Sequence, residues 1–176
     1  MTLQAIAICA FFYLSDEHKL DIKPESVDLI CKNAELIVEY SIKNNIYPEL
    51  MLSLMWSESR FQTDVISNHG ACGMMQIIPK WSDNKTCNQL KIPLETIIEG
   101  SRQLNFWISE YGKGSIEKGL CGYAAGYKCK ESGKAKKYAK MINNKSKKLR
   151  NKINKLIILL SEKKEFQKYL VNKYKL

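Results

Sequence analysis

The chain has 176 residues and a formal net charge of +10, with 45% hydrophobic and 26% charged residues. These values predict one globular domain with tails, and they exclude a chain too polar to build a hydrophobic core. The charge is uneven, because residues 130–176 hold sixteen Lys or Arg against three Glu. We therefore divide the chain into a hydrophobic N-terminal segment with a linker (1–23), a main domain (24–130) and a basic helical extension (131–176).

The N-terminal segment is apolar from Leu3 to Leu14. Its length matches the core of a signal peptide and is too short to span a bilayer comfortably. However, no Lys or Arg precedes Lys19, and the residues after the apolar run form a poor cleavage site. Two interpretations stay open at this point: an export segment, or a helix that packs on the domain.

Helical periodicity dominates the main domain. Apolar spacing predicts a first helix over residues 24–44 and a second over 48–60, which has a proline in its first turn. Further helices are predicted over 93–111 and 115–125. Few stretches alternate as strands should, so the sequence predicts a mainly α fold.

The basic extension continues the helical pattern, with lysines on both sides of an apolar stripe. The stripe consists of Tyr138, Met141, Ile142, Leu149, Ile153, Leu156, Ile157 and Leu160. Such a helix packs on its own domain, pairs with a partner or lies on an anionic membrane. For residues 134–176 we expect packing on the domain or on a protein-assembly partner, with an anionic membrane surface as the alternative. A sequence-specific nucleic-acid partner is not expected, because no base-reading motif accompanies the charge.

The chain contains six cysteines, and an even number fits disulfides in an oxidising compartment. The alternative is free buried thiols in a reducing cytosol. Cys72 with Cys87 and Cys121 with Cys129 are the local pairings that we expect first. Neither a C-x-x-C pair nor a histidine ligand pattern is present, so no metal or other cofactor is expected.

Residues 56–79 carry the strongest chemical pattern. Glu58 is the one acidic residue in a mostly apolar run, and Gln76 is the one amide in a second apolar run. A carboxyl group in apolar surroundings tends to stay protonated near neutral pH. That state suits a general acid that protonates a leaving oxygen, so we predict that Glu58 is catalytic.

The order of residues in this stretch is E-S-x-F followed by S-x-x-G-A-x-G-M-M-Q-I-x-P. It resembles the catalytic core of the soluble lytic transglycosylase family, whose members cut the glycan strands of peptidoglycan. A later block, G-Y-A-A-G at residues 122–126, is similar to the family motif A-Y-N-A-G and departs from it at Ala124. The resemblance covers about residues 27–127 and implies a helical domain of the lysozyme-like, goose-type lysozyme fold, with residues 73–78 as a short helix.

The resemblance also implies a mechanism with a single carboxyl group. Glu58 acts first as an acid and then as a base, while the 6-hydroxyl of N-acetylmuramic acid closes on its own anomeric carbon. By the same resemblance, Ser67, Met75, Gln76 and Tyr123 bind the substrate. Ser67 and Gln76 hydrogen-bond in the cleft, Met75 supplies an apolar wall, and Tyr123 approaches Glu58 from the opposite side.

The expected function is local cell-wall degradation by a peptidoglycan lytic transglycosylase, in phage entry or lysis or in a secretion-type role. The expected place of action is the periplasm or cell envelope, or a phage virion that delivers the protein to the wall. One alternative is a goose-type lysozyme-like hydrolase that uses water. The other is a non-catalytic structural protein of a virion or secretion apparatus with a glycan-binding domain.

Overall fold

The structure, a computed structural model, describes residues 1–15 and 21–174, and most of them are helical. The helices are α1 (Leu3–Leu14), α2 (Pro24–Lys32), α3 (Ala34–Lys43), α4 (Pro48–Ser59), α5 (Cys87–Leu90), α6 (Pro93–Phe106), α7 (Ile116–Ala125), α8 (Gly133–Glu162) and α9 (Lys164–Tyr174). A π-helical turn, Trp107–Tyr111, extends α6, and 3₁₀ turns lie at Pro79–Trp81 and Gly126–Glu131. Within the described ranges there is no β-strand, so the predicted mainly α class is confirmed.

Helix α1 lies at the centre of the hydrophobic core. All its residues from Ala5 to Phe12 are buried. A helix that is apolar on every side is stable only where it is surrounded, and α1 packs against α2, α3 and α8. In the structure, the N-terminal apolar segment is therefore a helix that packs on the domain, which was one of the two interpretations. In the part of the chain that the structure describes, no helix combines the length and the apolar character needed to cross a membrane.

Disulfides pair all six cysteines. Cys72–Cys87 joins the loop after α4 to α5, and Cys121–Cys129 joins α7 to the turn that follows it, which confirms both expected pairings. The third bridge, Cys9–Cys31, holds the central helix α1 against α2. Three bridges in one chain fit an oxidising compartment.

The first predicted helix of the main domain is in fact two helices. The backbone leaves helical geometry at Asn33, with φ −111° and ψ 7°, so that α2 and α3 are separate. The Asn33 side-chain amide donates a hydrogen bond to the Leu29 carbonyl oxygen. An asparagine side chain competes in this way with the backbone N–H groups of a helix for carbonyl oxygens. Apolar periodicity alone does not reveal such a break.

Helix α8, which forms most of the basic extension, packs on the domain. It is thirty residues long and contacts α1, α4 and α7. Its buried side chains are those of Ala135, Ala139, Ile142, Asn143, Ser146, Leu149, Ile153 and Leu160. These residues belong to the same core cluster as α1 and α4, so the three segments of distinct composition share one core.

Candidate active site

Glu58 lies in the last turn of α4. The helix begins at Pro48 and is apolar on nearly every side, so its middle turns are fully buried. It ends because Arg60 and Phe61 both adopt left-handed backbone conformations, with φ of 57° and 62°. Phe61 is buried and packs edge-on against Phe12 of α1, which secures the end of the helix in the core.

Glu58 keeps some exposed surface, but its carboxyl group is largely shielded from water by the surrounding protein. Burial raises the pKa of Glu58 from its ordinary value of 4.5 to about 7, and a hydrogen bond from Tyr138 acts in the opposite direction. The cause is loss of hydration, which disfavours the charged form. Glu58 therefore carries a proton over most of the acidic to neutral range and can change its protonation state near pH 7.

Tyr138 is the direct partner of Glu58. Its hydroxyl donates a hydrogen bond to Oε1 of Glu58 from the second turn of α8. Burial, and then the charge of Glu58, raise the pKa of Tyr138 far above its ordinary value, so the phenol stays a donor. Sequence reasoning missed this role because Tyr138 fits the apolar stripe of α8. The available clue was its polar tip, which needs a partner when the ring is buried.

Tyr123 completes the cluster around Glu58. It comes from α7, and its hydroxyl donates a 2.8 Å hydrogen bond to the carbonyl oxygen of Met75. The pKa of Tyr123 is raised first by burial and then by the charges of Glu58 and Glu99. The structure thus brings Glu58, Tyr123 and Tyr138 together from three helices.

The loop that follows α4 is tied back to the helix end. Ser59 donates a 2.9 Å hydrogen bond from Oγ to the Met74 carbonyl oxygen, and Cys72 and Ile77 exchange backbone hydrogen bonds of 2.9 and 3.0 Å. The expectation of a short helix over residues 73–78 was wrong. Gly73 and Gln76 have φ of 74° and 51°, which a right-handed helix cannot accommodate. The segment forms a tight turn that is closed by the antiparallel bridge between Cys72 and Ile77.

Two of the predicted substrate-binding residues use their polar atoms within this loop. Ser67 Oγ accepts hydrogen bonds from the backbone N–H groups of Ala71 at 3.0 Å and His69 at 3.3 Å. The Gln76 amide donates to the carbonyl oxygens of residues 65 and 73 at 3.2 and 3.0 Å. These bonds give both side chains a part in shaping the loop, and their contact with substrate stays a prediction.

Met75 lies differently from the position expected for a substrate-binding residue. Its side chain has no exposed surface and packs against Gly100 of α6. It therefore supports the site from inside the core, through its side chain and through the carbonyl oxygen that holds Tyr123. The apolar wall that we expected Met75 to offer to a sugar is not present in this conformation.

Asp64 and Glu99 are the candidates for a second acid, but neither places a free carboxyl group beside Glu58. Asp64 is exposed and lines a separate cavity of about 360 Å³ that includes none of Glu58, Tyr123 and Tyr138. Glu99 is buried near Tyr123. However, Arg102 donates to both of its oxygens and Gln103 donates to Oε1 at 2.8 Å. Glu58 is thus a carboxyl group beside Tyr123 and Tyr138 whose pKa is raised by loss of hydration.

The turn at Gly73 gives a first testable prediction. Gly73 combines φ of 74° with a site where an added Cβ would lie 2.0 Å from the Leu90 carbonyl oxygen. We expect Gly73→Ala to lower the free energy of unfolding by about 2–4 kcal/mol, as the sum of left-handed strain and overpacking. Urea unfolding monitored by circular dichroism measures this difference.

Gly70 supplies the matched control. It has φ of 77° and no atom within 4 Å of an added Cβ, so Gly70→Ala carries the backbone strain without the clash. Its expected cost is about 1–2 kcal/mol. Equal losses for the two variants would contradict the role of the close approach between Gly73 and α5.

The fold and the site define a class: a mainly helical, lysozyme-like domain with a largely desolvated carboxyl group at the end of an apolar helix. The chain belongs to the transglycosylase SLT domain family, whose sequence profile matches residues 35–146, a range that includes Tyr138 on α8. Among solved structures, an inactive mutant of the lytic transglycosylase Slt from Pseudomonas aeruginosa is similar to the chain, with a TM-score of 0.62 at 17% sequence identity. The similarity covers 67% of this chain and 24% of that one, so the chain spans about a quarter of that protein's length. At this identity the likeness concerns the fold.

Proposed function

We propose that this protein is a peptidoglycan lytic transglycosylase. It cleaves the β-1,4 bond between N-acetylmuramic acid and N-acetylglucosamine and leaves a 1,6-anhydromuramic acid end. The observation that carries the proposal is the largely desolvated carboxyl group of Glu58, with a pKa of about 7 and a hydrogen bond from Tyr138. Membership of the transglycosylase SLT domain family supports it.

In the first step, protonated Glu58 gives its proton to the glycosidic oxygen as the bond to the anomeric carbon breaks. In the second step, the Glu58 carboxylate takes the proton of the muramic acid 6-hydroxyl while that oxygen bonds to the same carbon. Glu58 is then protonated again, so protons balance without a second carboxylate. A pKa near 7 suits a group that must act as both acid and base at neutral pH.

The two tyrosines have different parts in this reaction. Tyr138 donates to Glu58, and this hydrogen bond becomes stronger when Glu58 is charged after the first step. The hydroxyl proton of Tyr123 is committed to Met75, so the lone pairs of the Tyr123 oxygen are available to the positive charge that develops on the sugar ring. Ser67 and Gln76 bind the glycan at the rim of the loop that they shape.

The biological role that we propose is local opening of the cell wall, in phage entry or lysis or in a secretion-type process. The protein acts in the periplasm or cell envelope, or is carried in a virion to the wall. The three disulfides support a place of action outside the reducing cytosol.

Mass spectrometry of the muropeptides released from purified sacculi tests the reaction. We expect products that end in 1,6-anhydromuramic acid from the wild-type protein and none from Glu58→Gln. Reducing ends would instead assign a goose-type lysozyme-like hydrolase. A well-folded protein that binds sacculi without cutting them would assign a non-catalytic structural role.

A further inference from the structure

Helix α8 holds the charge excess of the whole chain. Residues 133–161 contain ten Lys or Arg and no Asp or Glu, so their net charge of +10 equals that of the complete sequence. The charges of all other residues therefore balance to zero. Charge confined in this way to one helix indicates an anionic partner for that helix, since a membrane or a polyanion is attracted to a concentrated basic surface.

The fold separates the basic side chains of α8 into two groups. Arg150 is partly buried, and its guanidinium carbon lies 3.4 Å from the centre of the Tyr47 ring while its Nε lies 3.8 Å from Oε2 of Glu49. Lys145 is partly buried as well and donates a 3.2 Å hydrogen bond to Ser57 Oγ. These two cations are held by the domain, and the other eight are exposed.

The eight exposed cations of α8 are all lysines without an acidic partner. They are Lys134, Lys136, Lys137, Lys140, Lys147, Lys148, Lys152 and Lys155. Within residues 1–15 and 21–174, no ion pair joins a carboxylate to any of them. An anionic surface that approaches these lysines therefore does not have to displace a carboxylate of the protein.

The side of α8 that points away from the core forms a continuous row of polar residues, which we call the basic face. It consists of Lys137, Lys140, Asn144, Lys148, Asn151 and Lys155, all of them exposed. Their spacing of three or four residues places them along one side of the helix, over a length of about 27 Å. The opposite side of α8 packs on the domain, so the basic face is held in a fixed position on the surface.

Two exposed apolar side chains border the basic face. Met141 is 48% exposed and Ile158 is 57% exposed. Each lies one helical turn from a lysine of the face, since Met141 follows Lys137 by four residues and Ile158 follows Lys155 by three. Lysines combined with exposed apolar side chains are typical of helices that lie on an anionic membrane.

We infer that the basic face of α8 binds an anionic phospholipid membrane and holds the protein at its surface. The lysines pair with lipid phosphates, while Met141 and Ile158 reach the boundary between headgroups and acyl chains. The three disulfides fit a compartment outside the cytosol, where a protein meets lipid headgroups rather than nucleic acid. This inference does not depend on the proposed function. Taken together with it, membrane attachment confines cleavage to glycan strands close to the membrane.

Cosedimentation of the full chain with lipid vesicles tests the inference. One set of vesicles contains equal parts of phosphatidylglycerol and phosphatidylcholine, and the other contains phosphatidylcholine alone. The variant Lys140→Gln/Lys148→Gln/Lys155→Gln removes three charges from the basic face. None of these lysines has a part in the proposed reaction, and all three are exposed, so we expect the fold to persist.

The matched control is Lys32→Gln/Lys43→Gln/Lys118→Gln. It removes the same charge from exposed positions on α2, α3 and α7. The circular dichroism spectra of both triple variants should match that of the wild type. A comparison of the two variants therefore separates the basic face from the effect of net charge.

We expect the wild type to bind the anionic vesicles and not the neutral ones. The basic-face variant should lose about 100-fold in affinity for anionic vesicles, since each lysine near an anionic surface contributes about fivefold. The control variant should stay within about threefold of the wild type. Binding should be lost at about 1 M salt, where the Debye length falls to about 3 Å.

Four results would overturn the inference: no binding of the wild type to anionic vesicles, equal binding to both kinds of vesicle, equal losses for the two triple variants, or tighter binding to a short DNA duplex than to anionic vesicles. The last result would make the basic face a nucleic-acid site. Cleavage of soluble glycan strands by the basic-face variant should equal that of the wild type. If the wild type cuts no glycan, the proposed function fails, and the vesicle measurements still decide the membrane inference.

Discussion

Glu58→Gln is expected to abolish cleavage of sacculi while the protein stays folded. One positioned acid or base contributes about 10²–10⁴-fold to the rate, and here one carboxyl performs both steps. We therefore expect a loss of about 10⁴-fold or more in kcat, measured as 1,6-anhydro ends released per minute. Glu39→Gln, at an exposed position on α3, is the control and should keep wild-type activity. Activity of Glu58→Gln near that of the wild type would refute the catalytic assignment.

The same substitution is expected to stabilise the protein at alkaline pH. The pKa of Glu58 is about 7 in the folded state against an ordinary value of 4.5, so the folded state binds more protons than the unfolded state between these values. The free energy of unfolding therefore falls as pH rises through 4.5 to 7, by about 3 kcal/mol in total, because each pKa unit is worth about 1.4 kcal/mol. Glu58→Gln removes this dependence.

Urea unfolding at pH 4.5 and pH 8 measures the effect. The gain of Glu58→Gln over the wild type should be greatest at pH 8, at up to about 3 kcal/mol, and should shrink toward pH 4.5. Glu39→Gln should show no such trend. A constant difference between Glu58→Gln and the wild type at both pH values would mean that Glu58 is not held protonated by burial.

Tyr138→Phe is expected to shift the pH profile of cleavage and to slow the reaction. The hydrogen bond from Tyr138 lowers the pKa of Glu58, so loss of this bond raises that pKa from its value of about 7. The fall of activity on the alkaline side, where Glu58 loses its proton, should therefore move to higher pH. At the optimum we expect kcat to fall about 10–100-fold, because the charged form of Glu58 loses a donor worth about 1.5–3 kcal/mol.

Tyr127→Phe is the control for this experiment. Tyr127 is 74% exposed on the turn after α7, so loss of its hydroxyl should change neither the rate nor the pH profile. The measurement is the pH dependence of kcat on soluble glycan strands between pH 5 and 9. A Tyr138→Phe profile that stays in place, or moves to lower pH, would contradict the role of Tyr138.

The helices that carry the site were predictable because their signals are local. Helix α4 is marked by Pro48 at its start and an apolar run, and the Glu58 motif follows within a few residues. The structure differs from the sequence prediction where a single residue changes the backbone conformation. Asn33 divides one predicted helix into two, and left-handed Gln76 turns a predicted short helix into a tight turn.

Contacts between distant residues were not predictable. Tyr138 lies 80 residues from Glu58 in sequence, and although its hydroxyl group needs a partner, no local pattern identifies Glu58 as that partner. The inward position of Met75 depends on the absence of a side chain at Gly100, on another helix. The charge of the basic extension likewise indicates a separate appendage, although its helix α8 supplies Tyr138 to the site.

The sequence by itself determined the helical class, the family resemblance and the one acidic residue placed for chemistry, since all three depend on residue type and short spacing. Only the tertiary structure decided how that residue behaves. The raised pKa of Glu58 requires burial by α4 and its neighbours together with the Tyr138 hydroxyl, and both arise when α8 packs across α1, α4 and α7. Desolvation depends on the atoms that pack around a group in three dimensions, so residue spacing along the chain does not predict it.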